Sequence, residues 1–538
     1  MKPILLNFLN VIRRFKLAAL LNILGLSVAF AAFMVIMTQL DYDWGFDQFH
    51  KDSRRIFRLE FSMQNTTQAV ICRPLAERFF ASSPHIEAGA LCNPWGGEVF
   101  VYVEQEGERN YYNEYAISVS PEFTDVFTFD FVEGAQEALK NPDQIIIPLS
   151  LAYKIFGKES AVGQQLFFRG GNMTVGAVYR DFPNNSVVNN YIYGPISENE
   201  NKNDWGNWNY HIYLRVNDES NASLLIENFK RDFDPKTIWG EDFDWDQAGA
   251  SLRLTALPDI HYVTDVQYDQ TPKTSKPTLL VLLAIALVIV AIAAINFTNF
   301  STALTPMRIK SINTQRVLGA QQSSIRLLLV SEAMISSLLS YLMAIFLILI
   351  FQRTPLAQLV DADLSLTAHP MIVGGTILVA LFTGLLAGAW PARYITSFAP
   401  ALVLKGSFGL SPKGRKLRNT LIGIQFIASF ALFIGAFFMF LQNRFMQHSP
   451  LGYNKDELIV TNIGRIQDRR DTFTNQIKTY SGIEDVTYGE MLLSSSDQYM
   501  GWGRQYRGEQ IQFQCLPVHY SFLKVLGIKI TDGRDFRE

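Results

Sequence analysis

Five long apolar runs divide this chain, and the polar stretches between them carry patterns of their own. Between Lys16 and Asp41 lie 24 residues without a charge, LAALLNILGLSVAFAAFMVIMTQL. A helix of that length covers the roughly 30 Å hydrocarbon core of a bilayer with some tilt to spare. Ala29-Phe30-Ala31 behind a basic start resembles the cleavage box of a secretory signal, the rival reading of this run. Apolar sequence continues well past the box, which favours an uncleaved anchor. Further runs at 277–300, 327–352, 371–390 and 420–441 are each long enough to cross. Five such runs with charged flanks are not the pattern of buried helices in a soluble protein.

Residues 41–276 read as a folded α+β domain. RRIFRLEF and GEVFVYVEQEGERNYYNEYAISV alternate as strands do, whereas RPLAERFFA and SLLIENFKRDF have helical spacing. DQIIIPLSLAYKIFG predicts a short buried strand followed by a helix capped by Ser150 and stopped at Gly157. QLFFRGGNMTVGAVY predicts a hairpin turning at Gly170-Gly171. The expected fold class is a membrane protein of α-helical transmembrane spans with a large α+β extracytoplasmic domain.

Charge sets the expected orientation, because loops rich in Lys and Arg stay in the cytoplasm. Residues 1–16 hold Lys2, Arg13, Arg14 and Lys16 and no acid. The 301–326 segment holds Arg308, Lys310, Arg316 and Arg326, with no acid before Glu332. The 391–419 linker carries Arg393, Lys405, Lys413, Arg415, Lys416 and Arg418, again without an acid. The opposite side begins DYDWGFD after the first run and includes Asp361 and Asp363. In strict alternation, this places the N terminus in the cytoplasm and the 41–276 domain outside.

Sliding the chain against itself by about 400 residues aligns KLAALLNILGLSVAFAAF from Lys16 with KLRNTLIGIQFIASFALF from Lys416. A nearly equal slide puts VSPEFTDVFTFDFVEG from Val119 over VHYSFLKVLGIKITDG from Val518. Two matches in the same order predict a duplicated unit of span, external domain and three spans. On that reading residues 442–538 begin a second, incomplete external domain, and the chain is a truncated product or a fragment of a longer duplicated protein.

Composition narrows the chemistry. A 48 % hydrophobic, 18 % charged chain leans toward the membrane, and a net charge of −3 predicts no nucleic acid partner. Its three cysteines, Cys72, Cys92 and Cys515, form no metal-binding spacing. Cys72 and Cys92 could pair outside the cytoplasm or remain buried thiols. The seven histidines show no HExxH spacing, and no GxSxG elbow occurs. Asp41, Asp43 and Asp47 lack the Gly and final Glu of a calcium loop. GLSPKGRK, Gly409–Lys416, is a decoy for a phosphate loop: Arg stands where the Lys belongs and no strand precedes it. No metal, cofactor or catalytic group is expected in this chain.

The cationic 301–326 segment carries helix signals: Thr305-Pro306 can cap and start a helix that ends near Gly319. Ile309, Ile312 and Val317 could then face the bilayer or a partner. Here the chain resembles the MacB/FtsX-like permeases of ABC transporters. The resemblance rests on LLNILGLSVAFAAF with YDWGFDQFHKDSRRIFRLE, on LSLAYKIFGKESAVGQQLFF with GAVYRDFPNNS, on RIKSINTQRVLGAQQSSIRLLLVSEAM and on AGAWPARYITSFAPALVLKG. It implies that the external domain is a MacB-type periplasmic core domain. It also implies a multi-pass protein of the bacterial inner membrane, docked on a separate cytoplasmic ABC ATPase, a dimer that uses the ATP.

Carried over, the resemblance makes Arg308, Lys310, Arg316, Leu318 and Gly319 the ATPase-docking surface. The family's Lys-Glu-Ile-Gly is replaced here by Lys310-Ser311-Ile312-Asn313. Glu332, an intramembrane acid just inside the third run, is expected to pair with Arg316 or Arg326, with proton coupling as the second reading. The implied function is mechanotransmission: export or extraction of a peptide, lipoprotein or drug-like substrate. The alternative is an FtsX-like regulator that senses a ligand or controls a periplasmic cell-wall enzyme through a periplasmic partner.

Overall fold

The computed structural model describes residues 13, 16–63, 66–105, 107–239, 244–303, 305–397, 412–491, 493, 500–507 and 509–537. They form two compact units, one of residues 1–45 and 276–448, the other of 46–275 and 449–538.

The first unit is helical. α1 (Lys16–Trp44), α2 (Lys276–Ala303), α3 (Thr305–Val317), α4 (Gln322–Phe351), α5 (Pro370–Thr396) and α6 (Pro412–His448) follow one another along the chain. All but α3 are long and apolar enough to cross a membrane. Several run past the apolar stretches that predict them: α1 continues through Asp41 and Asp43, and α5 through Pro391 to Thr396. Leu26, Phe30 and Met34 of α1 pack with Phe297 of α2, Ala333 and Tyr341 of α4, and Ala380 and Ala387 of α5.

Small residues bring α4 and α5 into close contact. A Cβ on Gly388 would lie 2.7 Å from the Ala333 Cβ, and one on Gly384 would lie 2.9 Å from the Met334 Cα. Spaced four apart, the two glycines form the small-residue face on which membrane helices pack without a hydrophobic driving force. The Ser337 hydroxyl, on α4, adds a 2.6 Å hydrogen bond to the Ala380 carbonyl.

The second unit is built on a mixed sheet of thirteen strands. β1 (Ile56–Met63), β2 (Ile86–Gln105), β3 (Glu108–Val119), β4 (Gln144–Pro148), β5 (Gly171–Tyr179), β6 (Ile192–Pro195), β7 (Tyr210–Val216) and β8 (Ala250–Ala256) form most of it. β1 lies antiparallel to both β7 and β8, β7 continues to β2, and β2 and β3 form the long hairpin. β6 then runs parallel to β3 and antiparallel to β4, and β4 parallel to β5. Helices Arg73–Ala81 and Ala222–Asp232 cover one face, with Phe79 and Phe229 meeting Phe57, Leu59 and Phe61 of β1 in one core cluster.

Two local expectations need correction. Ser150 does not cap its helix: Leu149 already opens it, and the Ser150 N–H and hydroxyl both donate to Asp181, at 3.2 and 3.1 Å. The hairpin turns at Arg169-Gly170, because Gly171 already pairs with Phe168. Gly157 does end its helix, with φ 65°, where a Cβ would be strained. Cys72 and Cys92 are both free and buried.

A backbone pattern also appears twice in this unit. After helix Arg73–Ala81, Ser82 N–H donates to Phe79 O and Ile86 N–H to Ser83 O; after helix Arg470–Ile477, Thr479 N–H donates to Gln476 O and Ile483 N–H to Tyr480 O. Ser120 N–H to Leu91 O (2.8 Å) and Phe123 N–H to Ser120 O (3.0 Å) likewise have counterparts in His519 to Tyr488 (2.9 Å) and Phe522 to His519 (2.9 Å). Between these points lie the β2–β3 hairpin and the shorter hairpin Met500–Tyr506 with Glu509–Cys515.

Candidate functional site

α3 is short and polar, and tertiary contacts hold it in place. Ile309 and Ile312 are buried, and Ile312 packs against Ile325 of α4 and Ile395 of α5. Five residues on, Val317 is turned about 140° further around the axis and is 60 % exposed. The helix ends on Gly319 with φ 98°, where Gly319 N–H donates to Arg316 O and Ala320 N–H to Gln315 O. These two bonds are a Schellman cap, which leaves Leu318 standing outward at 82 % exposure.

The five residues expected to dock a partner do not share one surface. Arg308 turns inward, its Nη1 2.9 Å from Glu332 Oε2, with the two side chains 19 % and 8 % exposed. Arg316 Nη1 donates to the Thr396 carbonyl at 3.3 Å. Leu318 and Gly319 are exposed, and the Lys310 side chain lies outside the described residues. The expected pairing of Glu332 with Arg316 or Arg326 is therefore replaced by Arg308. Arg326, six positions before Glu332 on the same helix, is rotated by about 240° and points elsewhere.

Where Arg316 and Arg326 go is the feature that sequence reasoning missed. Arg326 Nε donates to Thr396 Oγ1 at 2.8 Å, and Gln322 Nε2 to the Thr396 carbonyl at 2.6 Å. Thr396 is the last residue of α5, so its carbonyl has no partner within the helix and attracts cationic donors. Donors from α3 and α4 thus converge on the end of α5. Asn313 stands at a position where the resemblance expects Gly. It is fully buried, and its amide donates to Ile309 O at 2.9 Å.

The sheet unit contains two buried polar clusters. Arg58, on β1, reaches Glu60 at 2.6 Å and Asp269 at 2.7 Å, all three side chains fully buried. Lys273 joins Asp269 at 2.5 Å, and Arg253 joins Glu60 at 2.6 Å and Asp265 at 3.2 Å. Burial alone would raise the Asp269 carboxyl, but Arg58 and Lys273 outweigh it and hold the group well below the usual carboxylate range. Burial, reinforced by Arg58, lowers His211 to about 4. The cluster ties β1 to the 265–273 segment, shortly before α2 begins at Lys276.

The second cluster joins DWGFDQFH to FPNNS. Asp47, with φ 57°, accepts from Ser186 Oγ at 2.7 Å and Val187 N–H at 3.0 Å, and its own N–H donates to Asn185 O. His50 Nε2 lies 3.8 Å from its carboxylate, and both side chains are fully buried. Burial raises Asp47 to about 7 and lowers His50 to about 3. No group of His, Cys, Asp and Glu fit to hold a metal occurs among the described residues.

Residues 19–231 match the family model described as MacB-like periplasmic core domain, and residues 283–400 match FtsX-like permease C-terminal. Among solved structures, a domain of a Porphyromonas gingivalis permease protein is 20 % identical with a TM-score of 0.32, over 43 % of this chain and 99 % of that one. The periplasmic region of MacB from Actinobacillus actinomycetemcomitans is 12 % identical with a TM-score of 0.27, over 37 % and 88 %. The extracellular domain of the noncanonic ABC-type transporter YknZ from Gram-positive bacteria is 14 % identical with a TM-score of 0.27, over 37 % and 99 %. No curated protein matches the chain. The two family matches fall in the order that one span, one α+β domain and then three spans require, and the chain belongs to the MacB/FtsX-like permeases of ABC transporters.

Proposed function

We propose that this permease lies in the bacterial inner membrane with its N terminus in the cytoplasm, and relays ATP hydrolysis by a separate ABC ATPase dimer to its periplasmic domain. The nucleotide is the partner's; this chain supplies the lever. The observation that carries the reading is the mounting of α3: Arg308 ties it to Glu332 of α4, and Arg316 ties it to the end of α5. A push on the exposed tip therefore reaches two long helices at once. The contact residues on this reading are Val317 and Leu318, while Arg308 and Arg316 position the helix.

The direction of the push follows from the charge pattern, which sets the basic segments inside. On the other side, α1 and α2 lead directly into and out of the α+β domain, so their displacement is felt by β1 and the 265–273 segment. Movement of that domain would act on a peptide, lipoprotein or drug-like substrate. The recurring backbone pattern at 470–526 supports a second core domain of the same type, and two such domains in one chain would face the substrate together.

Assembly tests this. The full chain is co-purified with its ABC ATPase, and ATP hydrolysis is measured in the complex. Leu318→Asp is expected to abolish assembly, because it places a charge at the apolar contact. Arg308→Lys is expected to assemble, since it keeps a cation within reach of Glu332. Normal assembly and hydrolysis by Leu318→Asp would overturn the docking role of the α3 tip.

A further inference from the structure

At the end of the helical unit remote from α3, a histidine bridges two elements that are far apart in sequence. His369 precedes α5 and is its N-cap residue, its carbonyl accepting from the Ile372 and Val373 N–H groups. Its Nδ1 lies 3.0 Å from Asp41 Oδ2 on α1, and its Nε2 lies 2.8 Å from the Asp363 carbonyl in the α4–α5 loop. The side chain is 16 % exposed. Gln39 adds a second tie between the same elements, accepting from Asp361 N–H at 3.1 Å and donating to Asp43 at 3.2 Å.

Both ring nitrogens of His369 therefore face acceptors. An ionised carboxylate and a carbonyl have no proton to give, and a neutral imidazole carries one N–H. It can satisfy either contact and sets a lone pair against the other. Only with a further proton do both contacts become hydrogen bonds, one of them charge-assisted. Asp41 on α1 brings its carboxylate to the ring, while Asp363 in the loop meets it through the carbonyl and uses its own carboxylate to cap Ser365 N–H at 2.9 Å. Beneath the ring, Met34, Thr38, Ile348, Leu366 and Val373 carry no charge.

We propose that His369 is a proton-operated latch that fastens α1 to the α4–α5 loop when doubly protonated and releases it when neutral. The inference deepens the coupling reading, since α1 is the helix that enters the α+β domain, and it gives that lever a brake on the far side of the bundle. Histidine side chains change charge between about pH 5 and 8, the range in which such a brake is useful.

Hydrogen exchange on the full chain in detergent micelles tests the latch without the ATPase, so its failure is separate from failure of the coupling reading. Protection factors, corrected for the intrinsic pH dependence of exchange, are compared at pH 5.5 and 8.0 for amides 38–44 and 364–374. The wild type is expected to lose protection about tenfold at the higher pH, the size of one charge-assisted hydrogen bond. Asp41→Asn can donate to a neutral ring, and His369→Gln does not titrate; each is expected to show equal protection at both pH values. Equal protection of the wild type at the two pH values, or an undiminished pH response in both variants, would overturn the latch.

Discussion

Arg58→Met removes the cation at the centre of the buried cluster in the sheet unit. The arginine contacts Glu60 at 2.6 Å and Asp269 at 2.7 Å, with no exposure of any of the three side chains. At an effective dielectric of about 20, two unit charges at these distances attract by about 6 kcal/mol per pair before desolvation is counted. Desolvation cancels much of that in the intact cluster, but in the variant both carboxylates stay buried and lose one partner each. Lys273 still covers Asp269, and Arg253 still covers Glu60. The net loss is therefore expected to fall at about 3–5 kcal/mol, the usual cost of breaking a buried pair from one side.

The assay is denaturant unfolding of the full chain in detergent, followed by the fluorescence of the tryptophans. Trp95, Trp205, Trp208, Trp239 and Trp245 all belong to the sheet unit. The sign with pH is also set. Asp269 is held low by its cationic neighbours, so in the wild type its contribution is present above the unfolded carboxylate range and disappears on acidification. In Arg58→Met that contribution is reduced, and the gap between variant and wild type narrows as acid neutralises the carboxylates. A loss below about 1 kcal/mol, or a gap that widens in acid, would refute the reasoning.

Three further outcomes follow from the geometry. Asp47, raised to about 7, loses stability as pH rises from about 4 to 7, and His50, lowered to about 3, gains it from about 3 to 6.5. The two slopes nearly cancel in the wild type; Asp47→Asn should expose the rising slope and His50→Gln the falling one, read from unfolding midpoints between pH 4 and 7. Gly388→Val drives side-chain atoms into Ala333 and Val330 of α4, which a Cβ alone would approach to 2.7 and 3.1 Å. It should cost about 1–3 kcal/mol by overpacking, seen as a lower midpoint of thermal unfolding in micelles, whereas Gly423→Ala, with nothing within 4 Å of its Cβ, should be silent. Glu332→Leu leaves Arg308 without its carboxylate and should loosen α3, giving faster hydrogen exchange at 305–317 than Glu332→Gln, which retains an acceptor.

The long apolar helices, the alternating strands of 97–119 and the helix at Thr305 were legible in the sequence, because apolar length, period-two alternation and a Pro-to-Gly frame report local structure directly. The buried face of β1 was not. Arg58 and Glu60 alternate with Phe57, Leu59 and Phe61, and that pattern is the same for a wet face as for a buried ionic cluster. What decides between them is Arg253 and Asp269, about 200 residues away. The partner of Glu332 was missed for a related reason. Arg316 and Arg326 are nearer in sequence, but helix rotation aims them at Thr396, and Arg308 on the neighbouring helix takes the carboxylate. Ser150 looked like a cap because a polar residue follows the buried strand, yet Asp181, brought over by the fold, claims its donors.

The central claim is that ATP hydrolysis at the partner moves the α+β domain through α3. Hydrogen exchange at residues 46–56 and 263–275, the two connections between helices and sheet, measures this in the complex with its ABC ATPase. Trapping the ATPase in its nucleotide-bound state is expected to change exchange in both segments, and Thr314→Pro, which breaks α3 between its buried Ile312 and its tip while keeping the Leu318 side chain, is expected to remove the change. Unaltered exchange in both segments while the wild-type complex hydrolyses ATP would contradict it.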